Sequence, residues 1–180
     1  VGVSDHGSIT RRYDKDGVEH EVEAFLIDRD FLEVLGLPLV AGRGFSPERA
    51  ADVRDGILVN EAFVKDFGLA DPVGKRFSEF ARDKFPPEYT FDPVIIGVVR
   101  DFHVLSLHQA IGPMAFGMKG MPAIQRLSSI LVKTRRGETD AVRKKLEAVW
   151  SEVRPDVPFS SKRLDDALAW EYRRDLSWSR

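Results

Sequence analysis

Asp101 and His103 are the residues of this sequence best placed for acid–base chemistry. They stand two apart, just after its most apolar run, VIIGVV at residues 94–99. Side chains two apart on a strand share a face, so a carboxylate there could orient an imidazole as a general base. That needs the strand to run on past Val99, and no GxSxG-type nucleophile accompanies the pair. A strand-end turn or a buried hydrogen bond is the simpler expectation. Gly42-Arg43-Gly44 lacks the spacing and lysine of a phosphate loop, and a tight turn explains it. His6, His20, His103 and His108 show neither HExxH nor HxH spacing. Met114, Met118 and Met121 around Phe116 read as core filling or a pliable contact surface, not soft-metal ligands. No catalytic, cofactor-binding or metal-binding residue is therefore assigned, and no cofactor is expected.

Composition narrows the classes further. The chain has 180 residues, the size of one domain or two small lobes, and can bury a core without a metal or disulfide. It is 43% hydrophobic and 31% charged, which is ordinary for a globular protein. With 27 basic and 29 acidic residues the net charge is −2, which argues against a nucleic-acid partner. The absence of cysteine excludes a disulfide scaffold, a thiolate zinc site and a cysteine nucleophile. No apolar run approaches the ~20 residues of a membrane span. The chain starts without Met or a signal-like segment, so it is expected to be a piece of a longer protein.

The elements that must position these residues are mixed α and β. Alternation over 18–27 predicts a strand, and Asp28 or Asp30 can cap a short helix through Phe31, Leu32 and Leu35, stopped by Gly36. LPLVAGRGF reads as a turn-rich connector, and Ser46-Pro47-Glu48 as a helix start. A strand over 56–59 leads to a helix capped by Asn60 and ended by Gly68. Further strands are expected over 75–80, 91–101, 127–134 and 157–161, with a loop or hairpin at 81–90. Residues 139–153 form the best helix pattern, with Val142, Leu146, Val149 and Val153 on one stripe expected to pack on a sheet. A final amphipathic helix is expected over 164–178. Arg135-Arg136 and Arg143-Lys144-Lys145 read as a solvated face, and Trp150, Trp170 and Trp178 as packing residues.

Residues 102–118 carry no Asp, Glu, Lys or Arg, unusual in so charged a chain. Phe102, Leu105, Leu107, Ile111, Met114 and Phe116 sit there among uncharged polar residues, a mixture suited to a contact that dries out without pairing charges. They are expected at a lobe junction or a partner-facing surface.

Three ordered strings carry a family resemblance: DRDFLEVLGLPLVAGRGF (28–45), ILVNEAFVKDFGLADPVGKRF (57–77) and VIIGVVRDFHVLSLHQAIGP (94–113). Together they resemble the MacB-like periplasmic core domain, the extracytoplasmic domain of FtsX/MacB-type ABC transporter permeases. The resemblance implies an α+β fold in two lobes: a βαβ-containing membrane-proximal lobe from about 1–40 and 121–180, and a smaller inserted lobe at about 41–120. It implies one extracytoplasmic domain without catalysis, on the periplasmic side of the inner membrane. ATP hydrolysis would belong to a separate cytoplasmic nucleotide-binding subunit, and no Walker motif occurs here. Implied partners are the permease's own transmembrane helices, that subunit, and a periplasmic adaptor or substrate protein, with a dimer in the intact transporter. Gly-rich connectors such as AGRGF would supply hinges. The alternatives are a free-standing peptide or small-ligand binding module, or an enzyme using Asp101 and His103.

Overall fold

The computed structural model describes residues 8–46, 48–83, 92–103, 110–118 and 129–163. The chain divides into two compact units, one spanning 3–130 and the other built from 131 onward. The first holds a seven-stranded mixed sheet in the order β3-β6-β4-β7-β2-β1-β5. Its strands are β1 (Ser8–Lys15), β2 (Val18–Leu26), β3 (Leu39–Gly42), β4 (Gly56–Asn60), β5 (Arg82–Asp83), β6 (Val94–Val99) and β7 (Met114–Gly117). The helices are α1 (Phe31–Leu35), α2 (Ala50–Asp55) and α3 (Glu61–Asp66) in this unit, and α4 (Thr139–Val153) in the other. The mixture of α and β expected from the sequence is present. Among the described residues, this sheet contains β1 and β2 together with the strands of 39–117.

The sheet starts as a hairpin. β1 and β2 pair antiparallel from Ser8↔Phe25 to Lys15↔Val18, closed by Asp16 and Gly17, both at positive φ, as a two-residue hairpin turn requires. β4 and β6 run parallel, as do β2 and β7, while β4 and β7 are antiparallel. β4 is buried at all five positions and β7 at all four, because both are interior strands covered on two faces. Phe63 of α3 and Phe67 just after it stack at 4.4 Å, and Phe63 lies 5.4 Å from Phe77, forming the core with Tyr13, Val22, Ile57 and Ile95. A second aromatic group is centred on Phe116, which stacks on Phe25 at 5.4 Å and Phe102 at 5.7 Å.

Four expectations are corrected. LPLVAGRGF is not a connector, because it contains edge strand β3, antiparallel to β6. Gly42 combines a left-handed φ of 71° with close approach to the neighbouring strand. Gly42 pairs with Gly97, and a Cβ on either would overlap a backbone carbonyl across the strands. Residues 75–80 are not a strand. Arg76 makes a single bridge to Val94, and a 3-10 turn over Phe77–Glu79 follows. Three-residue periodicity brings Phe77 and Phe80 to the same side, with ring centres 5.3 Å apart. Residues 129–134 and 157–161 form no strand, and the Val142–Leu146–Val149–Val153 stripe is not packed on a sheet. Leu146, Val149 and Val153 are exposed, and α4 has no buried residue. Trp150 ties the helix to the segment after it, its indole N–H donating to Val157 O at 2.8 Å. The helix expected over 164–178 lies outside the described residues, as does most of 81–90.

Asn60 is wholly buried where β4 becomes α3. Its Oδ1 accepts from Phe63 N at 3.0 Å and Met114 N at 2.8 Å, and its Nδ2 donates to Gly112 O at 2.9 Å. Asn60→Ala removes a helix cap and strands buried backbone groups. It should lower unfolding free energy in urea titration by about 3 kcal/mol or more. Asn60→Asp keeps the acceptor but loses the donor, and should also be destabilising.

Candidate functional site

The carboxyl ends of parallel strands β4 and β6, with the start of α3 between them, form the one place where the sequence put candidate chemistry. Glu61 opens α3, and Asp101 stands two residues past the end of β6. Asp101 Oδ1 accepts from Ala62 N at 2.9 Å, and Asp101 N donates to Glu61 Oε2 at 3.0 Å. The two acids thus exchange side-chain-to-backbone bonds, and Asp101 adds a second cap to the helix already capped by Asn60. His103 lies two residues beyond, exposed and past the end of the strand, so strand geometry does not align it with Asp101. This arrangement fixes a helix start.

Gly42-Arg43-Gly44 is also structural. Arg43 N donates to Ile96 O at 3.1 Å, and its guanidinium grips the buried Asp52 with two bonds, Nη2 to Oδ1 at 2.8 Å and Nη1 to Oδ2. Ser46 N donates to the same carboxylate at 3.2 Å. The Arg43 hydrogen bonds hold the Asp52 carboxyl below its ordinary range, against the upward push of burial, with the Ser46 amide and the charge of Arg43 assisting. In this structure the chain at AGRGF is tied at Arg43 to both Ile96 O and Asp52. A group whose pKa is lowered by folding stabilises the fold above its unfolded value and loses that contribution as pH falls. Asp52→Asn should therefore destabilise the domain at pH 7, and the gap to wild type should close as pH drops below 3.8, read by denaturation at each pH.

Among the remaining candidates, His20 meets Asp66 at 2.6 Å and stacks on Phe67 at 4.6 Å, joining β2 to the end of α3. Lys15 donates to Phe67 O beside it. Sequence reading missed this cluster and the Arg43–Asp52 pair, because nothing local marks partners 46 and 9 residues apart. Among the described residues no group of three or more His, Cys, Asp or Glu could hold a metal ion. His6 and His108 lie outside them, as do Met121, Trp170 and Trp178. The basic runs Arg135-Arg136 and Arg143-Lys144-Lys145 are exposed.

The uncharged run does not behave as one surface. Met114 and Phe116 are buried on interior strand β7, so they are not an exposed partner face. Phe102 and Ile111 are half-buried, and Leu105 and Leu107 lie outside the described residues. An apolar groove of about 570 Å³ runs between β3 and α3, lined by Val40, Val64, Leu69, Ala70, Pro72 and Val98, with Glu61 and Lys65 among its polar members. No described helix is long and apolar enough to cross a membrane.

This arrangement has relatives. The fold is similar to the periplasmic region of MacB from Actinobacillus actinomycetemcomitans, at 14% identity, over 97% of this chain and 74% of that one, with a TM-score of 0.59. It is similar to the extracellular domain of the noncanonic ABC-type transporter YknZ from Gram-positive bacteria, at 10% identity, over 83% and 73%, with a TM-score of 0.55. A domain of a permease protein from Porphyromonas gingivalis is similar at 20% identity, over 91% and 76%, with a TM-score of 0.51. No curated protein matches the chain. At the level of sequence, residues 2–149 match the family described as MacB-like periplasmic core domain. That match spans most of the chain and agrees with the fold, so this protein belongs to the MacB-like periplasmic core domain family.

Proposed function

We propose that this chain works as the non-catalytic extracytoplasmic domain of an ABC transporter permease, on the periplasmic side of the inner membrane. In this reading it passes the cycle of a cytoplasmic nucleotide-binding subunit outward, as movement or as engagement of an adaptor or substrate protein. Its other partners are the permease's own transmembrane helices and a second permease copy. The observation that carries the reading is the family match over residues 2–149. The site geometry supports it, because Asp101, the acid best placed for catalysis, caps a helix through Ala62 N. Such a device needs two arrangements close in free energy. Driving a population from 1:99 to 99:1 takes about 5.5 kcal/mol, within reach of a nucleotide cycle.

Two measurements test this. In the intact transporter, His103→Ala should leave transport and ATP turnover within about twofold of wild type. Asp101→Ala should instead lower stability by about 1–2 kcal/mol through loss of a cap. A turnover by the domain itself that His103→Ala abolishes would overturn the non-catalytic reading. The domain contributes no cysteine, so spin labels can be placed at exposed Glu19 and Lys144 of the full transporter. Their distance distribution should change between nucleotide-free and ATP-bound states. One distribution unchanged through the cycle would refute outward coupling.

A further inference from the structure

Two Asp-Gly pairs occur in the chain, Asp16-Gly17 and Asp55-Gly56, and the fold treats them oppositely. An aspartyl side chain can close onto the amide nitrogen that follows it, most readily when a glycine leaves that nitrogen unshielded. Closure sets a steric condition. For an L residue it eclipses Cβ with the next nitrogen, which puts ψ at about −120°, the value of the first central residue in a type II′ turn.

Asp16 already holds the other half of that geometry. Its φ is 54°, and it is the first of two exposed residues between Lys15 and Val18. Gly17 has φ 81°, so the turn carries the two positive φ values of type I′. Types I′ and II′ differ by a flip of the central peptide, which takes Gly17 to a negative φ that glycine accepts as readily. The strands on either side keep their register. The flip breaks a bond from Gly17 N to Asp14 Oδ1 that is long, 3.3 Å, and exposed. Asp55-Gly56 is held instead. Gly56 is buried with φ −81°, and its N–H donates to Asp52 O where α2 gives way to β4. Arg54 grips the Asp55 carboxylate, Nε to Oδ1 at 3.0 Å and Nη2 to Oδ2 at 2.7 Å. Turning that peptide would strand a buried amide.

We propose that Asp16 is a site of spontaneous backbone modification, where the chain passes through a succinimide to isoaspartate. Gly17 N bonds to Asp16 Cγ, the Cγ–OH bond breaks, and the amide proton leaves with the hydroxyl as water. Water then adds at either ring carbonyl. Opening at the Cγ–N bond restores aspartate. Opening at the original peptide bond leaves the chain running through Cβ and Cγ, with the α-carboxylate free. No oxidant, reductant or metal takes part. The product has one more main-chain atom in the turn, beside Lys15, whose ammonium donates to Phe67 O. The inference stands apart from the transporter reading and does not depend on it.

The test is warm incubation of the whole folded chain in heavy-oxygen water, then digestion in ordinary water and peptide mapping by mass spectrometry. Each passage through the ring inserts one heavy oxygen, so the label records events in the folded chain and none from the digestion. Label and isoaspartate should collect at Asp16, about tenfold or more above Asp55, because only the second site gives up a buried hydrogen bond. In urea the two sites should label at similar rates, since the fold no longer separates them. Asp16→Gly keeps a residue that accepts a positive φ and should remove the label from that peptide. A folded chain without label at Asp16, when the urea sample carries it, would overturn the proposal by showing that the turn protects the site. Equal labelling of Asp16 and Asp55 in the folded chain would overturn it as well.

Discussion

A buried amide has a donor end and an acceptor end, and each must find a partner once water is excluded. At Asn60 both ends are satisfied by backbone, and the groups that satisfy them come from two different segments. Phe63 N belongs to the first turn of α3, while Gly112 O and Met114 N belong to the entry of β7. One side chain therefore fixes where β4 ends, where α3 starts and at what height β7 enters the sheet. The same entry is held from the other side, where Glu23 N of β2 donates to Pro113 O at 2.9 Å. The parallel β2–β7 register follows from these anchors, and with it the position of Phe116 among Phe25, Phe31 and Phe102.

The second constraint is close approach at the β3 edge. Gly42 and Gly97 face one another with no room for a side chain, so β3 can lie against β6 although its own residues are exposed. Arg43 and Asp52 then hold the chain beyond the strand, linking it to α2 at a buried carboxylate. Pairing a charge that burial would penalise keeps the connection specific, since removing Arg43 leaves the buried carboxylate only the Ser46 amide. Polar groups in this domain are consequently organised around geometry: Asn60, Asp101, Glu61 and Asp52 all terminate on backbone or on one guanidinium.

The legible parts of the fold were those whose signal is local. Alternation marked β2, the apolar run marked β6, and Asn60 after an apolar strand marked the start of α3. Asp30 and Gly36 bracket α1, with Gly36 in the left-handed region at φ 69°. Misreadings occurred where one residue type serves two purposes. Glycine at 42 signals a turn and close packing equally well, and only the partner strand decides. Phe77 and Phe80 satisfy a strand or a 3-10 turn, and the bond from Arg76 N to Glu79 Oε1 settles the choice. The uncharged run looked like a contact surface because interior strands and interfaces share a composition. For Asp101 the simpler expectation of a hydrogen-bonded strand end is met, since its carboxylate sits where a helix amide needed an acceptor.

Both margins of the sheet are irregular, and this bears on how such a domain survives crowding. A straight exposed strand offers a template on which another chain can extend the ladder. β3 offers only four residues, interrupted by a register shift between Leu39 and Ala41 and closed by Gly42 at φ 71°. At the far margin β5 contributes two residues, Arg82 and Asp83, both charged. Among the described residues, neither margin gives an incoming strand a continuous row of backbone groups to read. Among the described residues the ladder therefore ends at seven strands.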